Sequence, residues 1–312
     1  MGTSPEALSI ANVVRADVRK LCIFVLLTLF PPTIAGTSMD VMTSGALNVS
    51  YDRARAIRLE TLEALNQAEF ARAYNHLHGE GALYRPMGSG IAVFTGVGSP
   101  LSQAFALGLH GEVSPEELDE VEEFFRSRGG AVEIEVCEHA DPTLMRLLEK
   151  RHYEITERSN VLVRELGPAD DHPSFANDVM LVRQEDLEMF AHAVASAFSE
   201  GKKPSEELID IFRVFFHQSN ASCFGALIGG VPAGAGTLFI QENVGELGGA
   251  GTLPQFRGRG VQTDLLKARC AHARAAGCTE AMVTTAPDTI SQRNAERNGF
   301  RVAYRRFKHS NR

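Results

Sequence analysis

The chain has 312 residues, 44% apolar and 22% charged, the balance of a globular, water-soluble protein with room for two domains. Its formal net charge is −8. Five cysteines, odd in number and scattered, include no pair at metal-ligand spacing, which excludes a disulfide framework or zinc cluster and implies reduced core thiols.

Arg15, Arg19 and Lys20 precede the apolar run 21–30 and the pair Pro31 and Pro32. That run is too short to span a bilayer, so no stable membrane association is expected. Its order of basic, apolar and small residues resembles a signal peptide with a poor cleavage site at 34–36. The preferred reading is a later translation start, at Met39 or Met42. On either reading residues 1–45 are expected to lie outside the fold, and the reduced cysteines point to the cytoplasm.

Residues 51–74 predict one continuous helix, with Ile57, Leu59, Leu62, Leu65, Phe70 and Ala73 as an approximate apolar face. His76 and His78 have no third ligand and read as surface residues, so no metal site is expected. A Gly-rich turn and strand entry (78–90), a helix (115–128), a strand (132–137) and a helix (144–150) follow. Gly167, Pro168, Asp170, Asp171 and Pro173 mark a linker over 166–173. Beyond it come a strand at 179–182, helices at 186–199 and 205–218, and strands at 231–240 and 244–251.

The segment Thr252-Leu253-Pro254-Gln255-Phe256-Arg257-Gly258-Arg259-Gly260-Val261-Gln262 then joins a strand to a helix that Gly277 ends. A helix N-terminus offers free N–H groups and partial positive charge. Glycines let an anion approach that backbone, and arginines add charge-assisted hydrogen bonds, so the turn predicts a pyrophosphate site. Without Lys-Ser or Lys-Thr after its second glycine it is not a nucleoside-triphosphate loop, and without a third glycine it is not a dinucleotide fingerprint. Residues 255–312 carry net +8, which leaves −16 on the rest and suits an anionic cofactor. The basic tail Arg301, Arg305, Arg306, Lys308 and Arg312 has no nucleic-acid motif. It reads as a solvated strand face with a frayed terminus, and no nucleic-acid partner is expected.

The loop resembles the acyl-CoA loop of the GNAT superfamily of N-acetyltransferases, Arg/Gln-x-x-Gly-x-Gly/Ala. Gln262 stands where the family has a small residue. The resemblance continues through a strand at 279–285, a helix at 290–297, the turn Asn298-Gly299-Phe300 and a last strand at 301–308. It covers roughly residues 175–312. It implies acetyl-CoA as co-substrate, held by Gly251, Thr252, Leu253, Arg257, Gly258, Arg259, Gly260, Val261 and Gln262. The family's usual tyrosine acid, four residues before the glycine, is replaced by Ala295, and its usual asparagine falls at Asp288.

An offset of 147 lays the first half on the second. Gly130 then falls on Gly277, strand 132–137 on 279–284, Asp141 on Asp288, helix 144–150 on 291–297, and helix 115–128 on 262–275. His110-Gly111-Glu112-Val113 takes the place of the loop, having lost both arginines and gained acidic neighbours that would repel a pyrophosphate. The expected architecture is α/β (α+β): tandem GNAT-like domains, each a mixed, mostly antiparallel sheet flanked by helices. The first (46–166) is degenerate, offering support and one wall of the acceptor cleft, and the second (174–312) binds acetyl-CoA.

Acyl transfer from CoA to an amine needs the thioester held, an ammonium deprotonated and an oxyanion stabilised. Glu246, the one ionisable side chain between Asn243 and Gln255, is the candidate base, with a solvated strand carboxylate as the other reading. Tyr304 is a candidate acid, with a core tyrosine as its alternative. Ser291 and Thr285 read as capping or packing residues. The expected function is transfer of acetyl to a small-molecule amine. The alternative is a non-catalytic CoA-binding or ligand-sensing module. Acceptor identity and oligomeric state are left open.

Overall fold

The computed structural model describes residues 46–88, 90–200 and 202–311; the leader 1–45, Cys22 and Arg312 lie outside them. In chain order the elements are α1 (Ala46–His78), β1 (Leu83–Met87), β2 (Gly90–Phe94), β3 (Gln103–Phe105), α2 (Pro115–Arg126), β4 (Val132–Cys137), α3 (Pro142–Lys150) and β5 (Glu154–Glu165). There follow β6 (Asp178–Leu181), α4 (Leu187–Phe198), α5 (Glu206–His217), β7 (Ala221–Ile228), β8 (Val231–Gln241) and β9 (Val244–Thr252). The chain continues through α6 (Val261–Ala275), β10 (Glu280–Thr285), α7 (Ile290–Arg297) and β11 (Arg301–Asn311).

The strands form one 11-stranded sheet in the order β1-β2-β3-β4-β11-β5-β10-β9-β8-β7-β6. Every neighbouring pair is antiparallel except β3/β4 and β9/β10. Elements recur at close to the expected offset: α2 with α6, β4 with β10, α3 with α7, and β5 with β11. The two final strands change places, β5 pairing with β10 and β11 with β4. They also pair with each other along most of their length, so each half is closed by the other half's last strand. Val161 and Leu162, at the centre of this seam, are 0% exposed.

Local chemistry sets the boundaries. No glycine or proline interrupts α1, which runs further in both directions than the apolar face suggested. Gly79, at φ 87, ends it in the left-handed conformation, and its N–H donates to Asn75 O at 2.9 Å. In α2 a capping box closes the first turn: the Ser114 hydroxyl accepts from Glu117 N, and the Glu117 carboxylate accepts from Ser114 N.

Helices α1, α4 and α5 cover one face of the sheet, while α2, α3, α6 and α7 cover the other. Helix α1 bridges the halves. Ala56, Leu59, Leu62 and Ala64 pack over the centre of the sheet, and Phe70 and Ala73 join the core beneath α4 and α5. Each large apolar side chain so buried contributes about 1.5–3 kcal/mol. In the basic tail Arg301 and Arg305 are exposed, as expected of a solvated face, but Arg306 and Lys308 depart from it. Arg306 and Lys308 are 1% and 2% exposed. Arg306 pairs with Glu60 and Glu63 of α1, and Lys308 lies 3.2 Å from Glu157 on β5. A buried charge must be paired: α1 supplies the carboxylates for Arg306, and β4 and β5 supply those around Lys308.

Candidate active site

The parallel strands β9 and β10 pair only over Val244–Glu246, the ladder stopping at Met282↔Glu246 although β9 runs on to Thr252 and β10 to Thr285. The two strands therefore part, leaving a fork. On its other edge β9 pairs with β8 through a bulge between Ala235 and Thr237, opposite Gly249 at φ 52. Arg269 of α6, 3% exposed, holds this irregularity by donating to Thr237 O at 3.1 Å and Gly248 O at 3.2 Å. With no carboxylate beside it, burial pushes that guanidinium down to about 10.

The residues expected to form the phosphate loop gather at the mouth of the fork. Gly251 and Thr252 finish β9, and Leu253, just beyond it, donates its N–H to Ala233 O at 2.9 Å. Gly258 and Gly260 are left-handed, at φ 78 and φ 82, and Gly260 starts α6 with no side chain capping it. The N–H groups of Val261, Gln262 and Thr263 thus open outward from a first turn that has no carbonyl to offer them. A Cβ on Gly258 would meet nothing within 4 Å, and one on Gly260 only Asn177 Nδ2 at 3.7 Å, so the cradle is unfilled. Arg257 leans over the strand end, 3.4 Å from Thr252 O and from Ala197 O, while Arg259 lies over the Phe256 ring. Gln262, which stands where the family has a small residue, turns its side chain back to donate to Thr252 Oγ1 at 3.0 Å.

One side of the loop is walled by a segment that the sequence motif did not include. Buried Asp264 accepts from Ala176 N, Asn177 N and Asn177 Nδ2, and Asn177 also donates to Arg259 O at 3.0 Å. The corresponding turn in the first half is closed. Its capping box occupies the α2 N-terminus, and Val113 N donates to Thr143 Oγ1 at 2.9 Å.

Glu246 is at the last paired position before the fork, on the α1 face, and stays partly open to solvent. It is an interior-strand residue, flanked by β8 and β10, rather than one on a strand edge. Asn66 Nδ2 of α1 donates to its Oε2 at 2.9 Å. Burial, then the neighbouring Glu63, push its carboxyl up to about 8, against the opposing pull of Asn66 and Arg306.

Tyr304 lies in the core beneath α1, 2% exposed, beside Glu60 and Arg306. Burial raises its pKa well above the ordinary value. Ala295 is buried in the core shared by α6 and α7, and Asp288 is exposed in the turn before α7, which Thr289 caps. Thr285 is fully buried and Ser291 half-buried. No group of metal-ligating side chains is found among the described residues. The sequence reading missed Glu60, Glu63 and Asn66. Their signal was polar side chains at three-residue spacing on a helix otherwise expected to bury an apolar stripe.

Residues 187–300 match the model of the acetyltransferase (GNAT) family. No curated protein sequence matches the chain. Among solved structures, a GCN5-related N-acetyltransferase from Kribbella flavida is 22% identical with a TM-score of 0.50, over 77% of this chain and 95% of that one. One from Sphaerobacter thermophilus is 17% identical with a TM-score of 0.50, over 74% and 75%. A tandem GNAT protein from the clavulanic acid biosynthesis pathway is 13% identical with a TM-score of 0.53, over 85% and 95%. At these identities the likeness is one of fold. The tandem protein's match covers more of this chain than either half contains.

Proposed function

We propose that this chain, which belongs to the GNAT acetyltransferases through its residues 187–300, moves an acetyl group from acetyl-CoA to the amine of a small molecule. The observation that carries this reading is the contrast between the two strand-to-helix turns. At α6 two left-handed glycines leave an uncapped helix N-terminus at the mouth of the fork, whereas α2 is sealed by its own side chains. One CoA per chain follows, in the unit 174–312. The unit 46–166 serves as support and, through α1, as one wall of the acceptor cleft.

The open cradle fits a pyrophosphate, which the N–H groups of Val261, Gln262 and Thr263 would bind, with Arg257 and Arg259 supplying charge. The co-substrate supplies an acyl group activated as a thioester. Glu246 takes the ammonium proton, the freed amine nitrogen bonds to the acyl carbon, the carbon–sulfur bond breaks, and the second proton shed by the nitrogen passes through solvent to the departing thiolate. A carboxyl raised to about 8 is a stronger base than an ordinary glutamate; roughly a tenth of it is ionised at pH 7, and that share grows toward alkaline pH. Tyr304 has no opening to solvent, and no side chain is assigned to protonate the thiolate. A cytoplasmic location is part of this proposal, in keeping with the four free thiols among the described residues. No helix among the described residues is long and apolar enough to cross a membrane.

The buried methyl group of Ala295, where the family's acid would stand, favours the second reading, a CoA-binding module without turnover. Titration with acetyl-CoA and thiol release over a broad amine panel separate the two. Binding with turnover supports the enzyme, binding without turnover supports the module, and absence of binding refutes both.

A further inference from the structure

We propose that Asn66 and Glu63 of α1, which lie outside the family-matched segment, are positioning residues that set the proton affinity of Glu246 from opposite sides. The inference rests on Glu246 acting as the base.

Asn66 is 3% exposed, and its amide has one orientation open to it. Its Oδ1 accepts from Asn220 Nδ2 at 2.7 Å, and its main-chain oxygen accepts from Gln218 Nε2 at 3.3 Å. With the carbonyl side occupied by donors, the NH₂ side must face Glu246, where it donates at 2.9 Å. The clamp comes from the turn between α5 and β7, so three separate segments meet at one carboxylate. A hydrogen bond to the ionised form favours ionisation, and Asn66 acts in that direction.

Glu63 opposes it. Among charged groups on this face, Glu60 and Glu63 come from α1 and Arg306 from β11, and both carboxylates engage the one guanidinium. Glu280, on the same face of β10, is taken up by Arg55 and Arg58. The portions of α4 and α5 nearest to β9 present Val194, Ala197, Phe212 and Phe215, none of them titratable. Arg306 is thus taken up by Glu60 and Glu63, no ion pair among the described residues holds Glu246, and the like charge of Glu63, one turn before Asn66 on α1, disfavours ionisation of Glu246. In consequence the first half, with its own anion turn closed, governs the base of the second.

The test is a ¹³C-carboxyl titration of the full chain, labelled at glutamate Cδ, with the Glu246 resonance assigned by its loss in Glu246→Gln. Asn66→Leu is expected to move the Glu246 midpoint upward by about one pH unit, and Glu63→Gln downward by about one. The acid limb of thiol release should move with each. A merely structural role would move both variants the same way or neither. Should Asn66→Leu fail to fold, Asn220→Ser, which loosens the amide without touching Glu246, is expected to raise the midpoint by a smaller amount. Unshifted or same-direction midpoints overturn the inference. Failure of the base reading shows separately, as wild-type turnover in Glu246→Gln.

Discussion

Replacing Gly260 by glutamate tests the anion cradle with little risk to the fold. The residue is exposed, at φ 82, and its new Cβ would meet nothing closer than Asn177 Nδ2 at 3.7 Å. The folded state then loses only the left-handed penalty, about 1–2 kcal/mol. In a chain of this size that lowers the melting temperature by roughly 2–8 °C. The ligand loses more. A carboxylate on the first turn of α6 occupies the N–H groups of Val261, Gln262 and Thr263 and repels phosphate. Hydrogen bonds to charged groups contribute about 1.5–3 kcal/mol each. Forfeiting two costs about 3–6 kcal/mol, or ~10²–10⁴ in affinity. Gly260→Ala carries the strain without the charge and should weaken binding by less than about tenfold. Isothermal titration calorimetry with CoA, beside circular dichroism, measures both terms. A glutamate variant with a native spectrum and unchanged affinity would refute the phosphate assignment.

The same titration on the wild-type chain should give one CoA per chain; two equivalent sites would show that the α2 capping box does not exclude the ligand. Glu246→Gln should lower the transfer rate by ~10²–10⁴ and leave acetyl-CoA affinity nearly unchanged. Because the wild-type carboxyl must be ionised to act and is raised to about 8 from 4.5, activity should rise as pH climbs through about 8, a limb that flattens in the variant. Stability has the opposite sign: the fold favours the protonated form, so its contribution falls as pH rises from about 4.5 to about 8. Thermal melts across that window should slope less in Glu246→Gln. Arg306→Met would strand Glu60 and Glu63 and should cost about 3–5 kcal/mol near neutral pH. Chemical denaturation should show much of that loss recovered when both carboxylates are also replaced by glutamine.

Local rules made most elements legible. Glycine and proline punctuation, together with 3.6-residue periodicity, marked the α6 and α7 regions, and the glycine–arginine turn identified the anion-binding candidate because glycine conformation and helix termini act over a few residues. Arg306 and Lys308 of the basic tail were misread because the pattern there is only local. Alternation along β11 fixes which residues share a face, but it does not say that this face meets Glu60 and Glu63 on a helix some 240 residues earlier.

Candidate acid–base residues divide the same way. Glu246 stood out by being the one ionisable group on its strand, yet its raised proton affinity comes from burial and from Glu63 of α1, against the pull of Asn66 and of Arg306 on β11. Sequence alone determined the helices, several of the strands, the internal repeat and the turn proposed to hold a phosphate, since each depends on spacing within one segment; β2, β3, β5 and β7 did not enter that reading. Only the tertiary structure decided that the final strands change places, that β9 and β10 part at Glu246, and that Asn66 reaches that carboxylate. Pairing partners and buried charge depend on long-range packing, where the energies of distant segments are set against one another and no local pattern records the result.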